Sequence, residues 1–544
     1  MRKPGLSRRG LLAAALGAGT TGILLKAGVM DSFAADAPNA VAPAGGTLRV
    51  PPLLTATQND GVKVFKLEMT KGSTQVIAGT ASPSAGFNGA LLGPTIRVTD
   101  GENIRFEITN RLGADTTVHW HGLHVAPSVD GGPQNIIKDG TTWTPAFTVK
   151  QPAGTMWYHP HGLLTTAQQV ALGLAGMIII DDGTAASRAL PKDYGADDFP
   201  LILTSTAITA SGAFANSSDT LDAADSRKHF LVNGASATTT TPTVVAARNR
   251  LRFRPLNASL VDTITITRTD GKPLTQVASD AGLLPKPLAV TSLRLVPGER
   301  AEFILDVNNG ETITLKAAPE DAGAAQRPTV SMLTVTTTGA ETPPALPATL
   351  SPLVPLVTTG AKTRTFTLGE TNNQQTINGI AGTTLAAMTA NMVMVKLGDT
   401  EVWDVVNAAD VNHSFHLHDV PFQVLSIGGN APTGANVAWK DTIEVAARTT
   451  VKIAMKFTDF ADPTFMYMLH CHNLEHEDLG MMLGLMVTQP TTTPAQTPAE
   501  GPPPASTSPS ATASAGTTAP TTGPATVPPS ASTLPAPADV ADVG

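Results

Sequence analysis

Four times the sequence sets two histidines one residue apart: His119-Trp-His121, His159-Pro-His161, His416-Leu-His418 and His470-Cys-His472. Residues i and i+2 of a β-strand point to one face, so each pair presents two imidazoles in one direction. Imidazole is the commonest side-chain ligand for copper, zinc and iron. One such pair could be two surface histidines. Four pairs, using eight of the 12 histidines, are hard to explain by composition. Eight imidazoles are too many for one ion and suit a cluster of two or three, each with an exchangeable position for substrate. Two pairs fall early in the chain and two late, so the spacing predicts a site between the first and last folded units.

Strand alternation also separates a second site. In His470-Cys471-His472 the only cysteine of the chain must face away from both histidines. His413, three and five residues before His416 and His418, faces away from them by the same parity. His476 and Met481 follow Cys471 at intervals of five. Two imidazoles, a thiolate and a thioether are the ligand set of a trigonal electron-transfer copper site with a weak axial methionine. The peptide bonds from Cys471 to His470 and His472 then join the two sites. Single electrons could be passed to the cluster until an acceptor that requires several is reduced; dioxygen going to two waters requires four.

The elements that must hold these residues are strands. Charged residues are only 15%, and 48 glycines and 43 prolines interrupt the chain. Such a composition is poor material for long surface helices and suits β-sandwiches joined by turns. Strand-like runs include Thr95–Val98, Ile104–Ile108, Gly176–Ile180, Leu251–Arg254, Thr263–Ile266, Ala301–Asp306 (after a Pro297-Gly298 turn), Glu401–Val406 and Val451–Phe457. Helical periodicity is confined to short stretches such as Thr166–Leu172. Three successive antiparallel sandwiches are expected over about residues 46–185, 190–345 and 362–488, roughly 150 residues each.

The two ends read differently. Residues 1–37 combine Ser7-Arg8-Arg9-x-Leu-Leu, an apolar run and a small-residue zone, as in a twin-arginine export signal. An exported, extracellular, periplasmic or envelope-associated protein without a permanent membrane span is expected. Residues 489–544 are almost entirely Pro, Thr, Ala, Ser and Gly and are expected to be disordered. The net charge of −8 argues against nucleic acid as a partner. One cysteine excludes an intrachain disulfide.

The histidine windows, with Gly480-Met481 after the last, resemble the multicopper oxidase family. Supporting resemblance spans about residues 48–488 and includes Asn88-Gly, Leu92-Gly-Pro94, Val129-Asp-Gly-Gly-Pro-Gln134, Gly173-Leu-Ala-Gly176, Arg254-Pro-Leu-Asn-Ala258 and Trp439-Lys-Asp441. The match is closest to three-domain bacterial members: laccase-like, cuprous-oxidase-like and bilirubin-oxidase-like. It implies an all-β chain of three cupredoxin-like Greek-key sandwiches, monomeric, with four copper ions. His413, Cys471, His476 and Met481 would hold the type 1 copper. His119 and His416 would hold type 2, and His121, His159, His161, His418, His470 and His472 the type 3 pair. Asp130 and Glu477 match family acids that supply protons for oxygen reduction.

Other residues fall outside this set. His124 has no partner spacing and reads as a non-ligand; His229 reads as a surface histidine. Asp441 could orient a ligand. The family's cuprous oxidases carry a methionine-rich insertion in the third domain and methionines before the first type 1 histidine. Here Met388, Met392 and Met394 read as core filler, and Ala409-Asp410-Val411-Asn412 contains no methionine. The expected partners are therefore dioxygen and a small phenol-like electron donor, with Asp410 a solvated loop residue. Cuprous oxidation is the alternative. A copper-binding or division-associated scaffold with little turnover is a third reading, although such relatives usually lose cluster histidines.

Overall fold

The computed structural model describes residues 40–41, 46–223 and 227–489. The expected signal, residues 1–37, and the expected tail apart from residue 489 lie outside them. The described residues form six β-sheets in three successive pairs. In the first pair, a seven-stranded sheet around Val62–Ile77 faces a four-stranded sheet ordered Ile96–Thr99, Gly176–Asp181, Gly154–His159, His119–His121. Strand Asn103–Arg111 shows why these layers form. Ile104, Phe106, Ile108 and Asn110 are buried while the residues between them are not, the period-two pattern of a one-sided strand. Phe65, Phe106, Trp120, Tyr158 and Ile178 fill the space between the sheets.

The second pair has seven and five strands around Phe199, Phe253 and Phe303. The third has six and five strands around Trp403, Phe415, Phe422 and Leu469. All eight strand-like runs read from the sequence fall on strands, overrunning them by no more than a residue, and several strands extend up to three residues further. The α-helices among the described residues are short, four to six residues each, and Thr166–Ala171 is one of them.

The expectation of purely antiparallel sheets is corrected. Every sheet contains a parallel pair, for example Lys63–Glu68 along Ile104–Thr109 and Lys362–Leu368 along Glu401–Asn407. Parallel neighbours require a crossover connection. Here the chain passes to the facing sheet of the same sandwich and returns in the original direction.

This topology brings the histidine windows together. In the first sandwich His119 pairs across the ladder with His159, and His121 with Trp157. In the third, His416 pairs with His470 and Phe415 with Cys471.

Candidate metal centre

Strand parity places Cys471 in the apolar core of the third sandwich, away from its histidine neighbours. His413 comes from the adjacent strand and His476 from the short helix Leu474–Asp478. The two Nδ1 atoms lie 3.1 Å apart. Cys471 Sγ is 3.5 Å from His413 Nδ1 and 3.7 Å from His476 Nδ1, so three ligand atoms surround one point. Met481 is fully buried in the same core. Its carbonyl accepts from the Cys471 N–H at 3.0 Å, and its own N–H donates to the His476 carbonyl at 2.9 Å. Burial pushes the Cys471 thiol up to about 12, and burial lowers His413 to about 3 and His476 to about 4. The imidazoles are thus neutral and ready to ligate, whereas the thiol must lose its proton when a metal binds.

The eight paired histidines converge where the first and third sandwiches meet. Only the His119 pair lies wholly on a strand. His161, His418 and His472 each fall just past a strand end. Alternation alone therefore does not aim those pairs; the turns that follow do, and Pro160 lacks the N–H that would extend its strand. Three sets of imidazoles have nitrogens within 4.8 Å of one another: His119 with His121 and His159, His119 with His416 and His418, and His161 with His418 and His470. His472 completes the ring, its centroid 4.8 Å from that of His121 and 5.4 Å from that of His159.

All eight are buried. Burial first, then crowding by neighbouring imidazoles, holds His121, His159, His416 and His418 well below the ordinary histidine range. His472 falls to about 3 for the same causes. His161 also falls to about 3, by burial against the opposing pull of Glu477. Neutral imidazoles with buried, unpartnered nitrogens are the donors a metal needs. Nε2 of His119, His159 and His416, Nδ1 of His121 and both nitrogens of His472 have no hydrogen-bond partner. Buried polar atoms are normally satisfied, so this concentration fits absent metal ions. Imidazole and thiolate ligands suit copper rather than hard cations.

Two carboxylates grip the cluster from the sides. Asp130 Oδ2 accepts from His418 Nδ1 at 2.7 Å, and Oδ1 lies 3.4 Å from His119 Nδ1. Glu477 Oε1 accepts from Thr166 Oγ1 at 2.7 Å and lies 3.3 Å from His161 Nδ1; Oε2 is 3.2 Å from His470 Nδ1. Asp441 Oδ1 is 3.2 Å from His121 Nε2, a position that suits an orienting role. His124 stands outside the cluster, its ring nitrogens 2.7 Å from both Asp419 and Asp459. His229 is corrected: it is buried, with Nδ1 2.9 Å from Ser236 Oγ, because its strand is sheltered within the second sandwich. Asp410 is exposed and paired with Arg448 at 2.8 Å. Met388 packs with Met466, Met468 and Met482, with Met392 at the edge of that group; Met394 is 46% exposed and is not core filler.

Three contributors gave no sequence signal. Trp157 stacks on His159 with ring centroids 4.0 Å apart, Thr442 Oγ1 lies 3.2 Å from both His121 Nε2 and His416 Nδ1, and Arg300 pairs with Asp441. Arg300 comes from the sandwich that carries no cluster histidine.

Comparison with known proteins agrees with this geometry. Family models of the multicopper oxidases match residues 68–185 and 357–491, the two stretches that carry the histidine windows. "Multicopper oxidase mco" of Staphylococcus haemolyticus is 32% identical over 442 residues, covering 78% of this chain and 88% of that protein. "Cell division protein FtsP" of Yersinia pestis is 33% identical over 464 residues, covering 80% and 90%. The solved structure of a laccase-like multicopper oxidase CueO from Ochrobactrum sp. superposes with a TM-score of 0.72 at 32% identity, over 81% of this chain and all of that one. The chain belongs to the multicopper oxidase family. Membership implies copper as the metal and oxidoreductase chemistry with dioxygen.

Proposed function

We propose that this protein is a laccase-like oxidase that takes single electrons from phenolic or similar small donors and reduces dioxygen to water. Four copper ions per chain fit the ligands: one held by His413, Cys471, His476 and Met481, one by His119 and His416, and two by His121, His159, His161, His418, His470 and His472. Bound copper would supply electron acceptance at the first position and dioxygen reduction at the other three.

The rest of the work falls to the chain. His476 is only partly buried, and Leu479, one turn further on, is 38% exposed. An aromatic donor can therefore rest against this edge without entering the core. Cys471 spans two peptide bonds to His470 and His472, a short covalent path from the donor side to the cluster; this connection is the observation that carries the proposal. Asp130 and Glu477, each touching two cluster histidines, are placed to hold and deliver the protons that water formation consumes. The complete histidine set favours turnover over a scaffold role of the kind suggested by the name of the Yersinia relative.

The test compares oxygen uptake by the copper-loaded protein with syringol, a dimethoxyphenol, and with Cu(I) as donors. Faster uptake with syringol supports the proposal. Uptake with Cu(I) alone replaces it with cuprous oxidation, and no uptake with either favours a scaffold.

A further inference from the structure

Arg300 is fully buried where all three sandwiches meet. Its Nη1 donates to Asp441 Oδ1 at 2.7 Å and to the Gly298 carbonyl at 3.2 Å. Its Nη2 donates to Asp441 Oδ2 at 2.6 Å and to the Asp280 carbonyl at 2.9 Å, and Nε to the Thr155 carbonyl at 2.9 Å. Such a fork fixes a carboxylate in plane and direction, as a lysine could not. The pair sits directly against Gly122, which follows His121. A Cβ there would lie 2.5 Å from Arg300 Nη2 and 2.7 Å from Asp441 Oδ2, and Gly122 also has a φ of +86°.

The consequence falls on His121. Its Nε2 faces Asp441 Oδ1 and Thr442 Oγ1, each at 3.2 Å. The threonine hydroxyl itself donates to Asp441 Oδ1 at 2.8 Å, so both atoms opposite Nε2 can only accept. Nε2 must carry the proton, and the bare nitrogen is Nδ1, the one without a partner. His121 differs in this from its neighbours. His119, His159, His416 and His470 donate through Nδ1 to backbone carbonyls at 2.8–3.1 Å, and His418 through Nδ1 to Asp130; these five offer Nε2 inward.

We propose that Arg300 is a positioning residue of the cluster. By gripping Asp441, it dictates which nitrogen of His121 holds the proton and which is offered to the metal. The middle sandwich, without contributing a ligand, thereby sets one of the eight. This inference rests on the copper reading above.

The test uses copper-loaded full-length protein with Arg300→Met, Arg300→Lys and the double variant Arg300→Met/Asp441→Leu. Visible absorption reports the Cys471 site, and electron paramagnetic resonance with copper content reports the cluster. Arg300→Met leaves the visible band in place and weakens cluster copper retention by about 10- to 100-fold, the usual effect of losing a ligand's orienting partner. Arg300→Lys gives an intermediate loss. The double variant removes both buried charges and so recovers thermal stability, yet it holds cluster copper no better than Arg300→Met. If its cluster signal recovers along with its stability, Arg300 serves folding only and the proposal is overturned. If the wild-type protein takes up no cluster copper, the copper reading fails, and nitrogen NMR of histidine-labelled, metal-free protein decides. A proton on His121 Nε2 in the wild type that moves in Arg300→Met upholds the proposal; a wild-type proton on Nδ1 overturns it.

Discussion

The site around Cys471 and the eight-histidine cluster are both built on imidazoles, yet their surroundings are opposite. The Cys471 site lies within one sandwich and faces its apolar core. No carboxylate lies among its three close ligand atoms. The cluster lies between two sandwiches, and Asp130, Glu477 and Asp441 all touch its imidazoles. A site that only exchanges electrons gains from an apolar shell, which limits rearrangement and sets the potential. A site that makes water must also receive protons, and carboxylates supply them. Cys471 belongs to the first environment while its two neighbours belong to the second. Cys471→Ser breaks this division most completely. It should abolish the intense visible absorption of thiolate-bound copper and bring donor-driven oxygen uptake to background, while the cluster still binds copper. A variant that kept the visible band would place the thiolate elsewhere.

Parity was legible where it holds, along the strands, where Cys471 faces away from His470 and His413 from His416; His418 and His472, just past the strand ends, are aimed by turns that alternation does not describe. The meeting of early and late windows was legible because histidines are scarce and paired. The parallel strand pairs were not, since local alternation is the same for either strand direction. Arg300 and Thr442 escaped because a buried polar partner shows no pattern in sequence; only the fold brings Arg300 to Asp441, 141 positions later. His229 was misplaced for the same reason, a polar residue whose neighbours beyond its own strand enclose it.

Removing the metal turns the burial of the imidazoles, and then their crowding, into an acid weakness. His161, His413 and His472 each titrate near 3 when folded, against 6.5 as the ordinary value. The unfolded chain therefore takes up these protons first. Stability is intact above about pH 6.5 and falls as the pH drops toward 3. These three groups alone contribute a slope of about 4 kcal/mol per pH unit near pH 5, and the other histidines held below the ordinary range add to it. Denaturant titration of metal-free protein at pH 7 and pH 5 would measure it. Equal stability at the two values would mean that the imidazoles are already protonated or exposed. Copper should raise the stability without flattening the slope, because ligated nitrogens stay proton-free while the unfolded chain still takes up its protons.

The carboxylates divide the two sites by a smaller margin. Asp130→Asn puts an amide beside His418 Nδ1, and Glu477→Gln puts one between His161 and His470. Each should slow oxygen uptake by about 10- to 100-fold. Anaerobic bleaching of the visible band by syringol should keep its rate, because that step is confined to the Cys471 side. If bleaching slows as much as uptake, these residues are needed for the whole fold rather than for proton supply.

Met481→Leu makes the finest cut, since it alters the Cys471 site without touching the cluster. Met481 is fully buried among core side chains, and leucine is close to it in volume, so the stability cost should stay below about 1.5 kcal/mol. His413, Cys471 and His476 remain, and the visible absorption should persist. The thioether is the weak axial partner in this ligand set, and its loss should raise the reduction potential. Redox titration of the visible band would show the shift. An unchanged potential would mean that the Met481 sulfur lies away from the metal and that the residue serves only to pack the core. A raised potential with the band intact would mean that the donor-facing site is tuned from within its own sandwich, whereas the cluster depends on groups from all three.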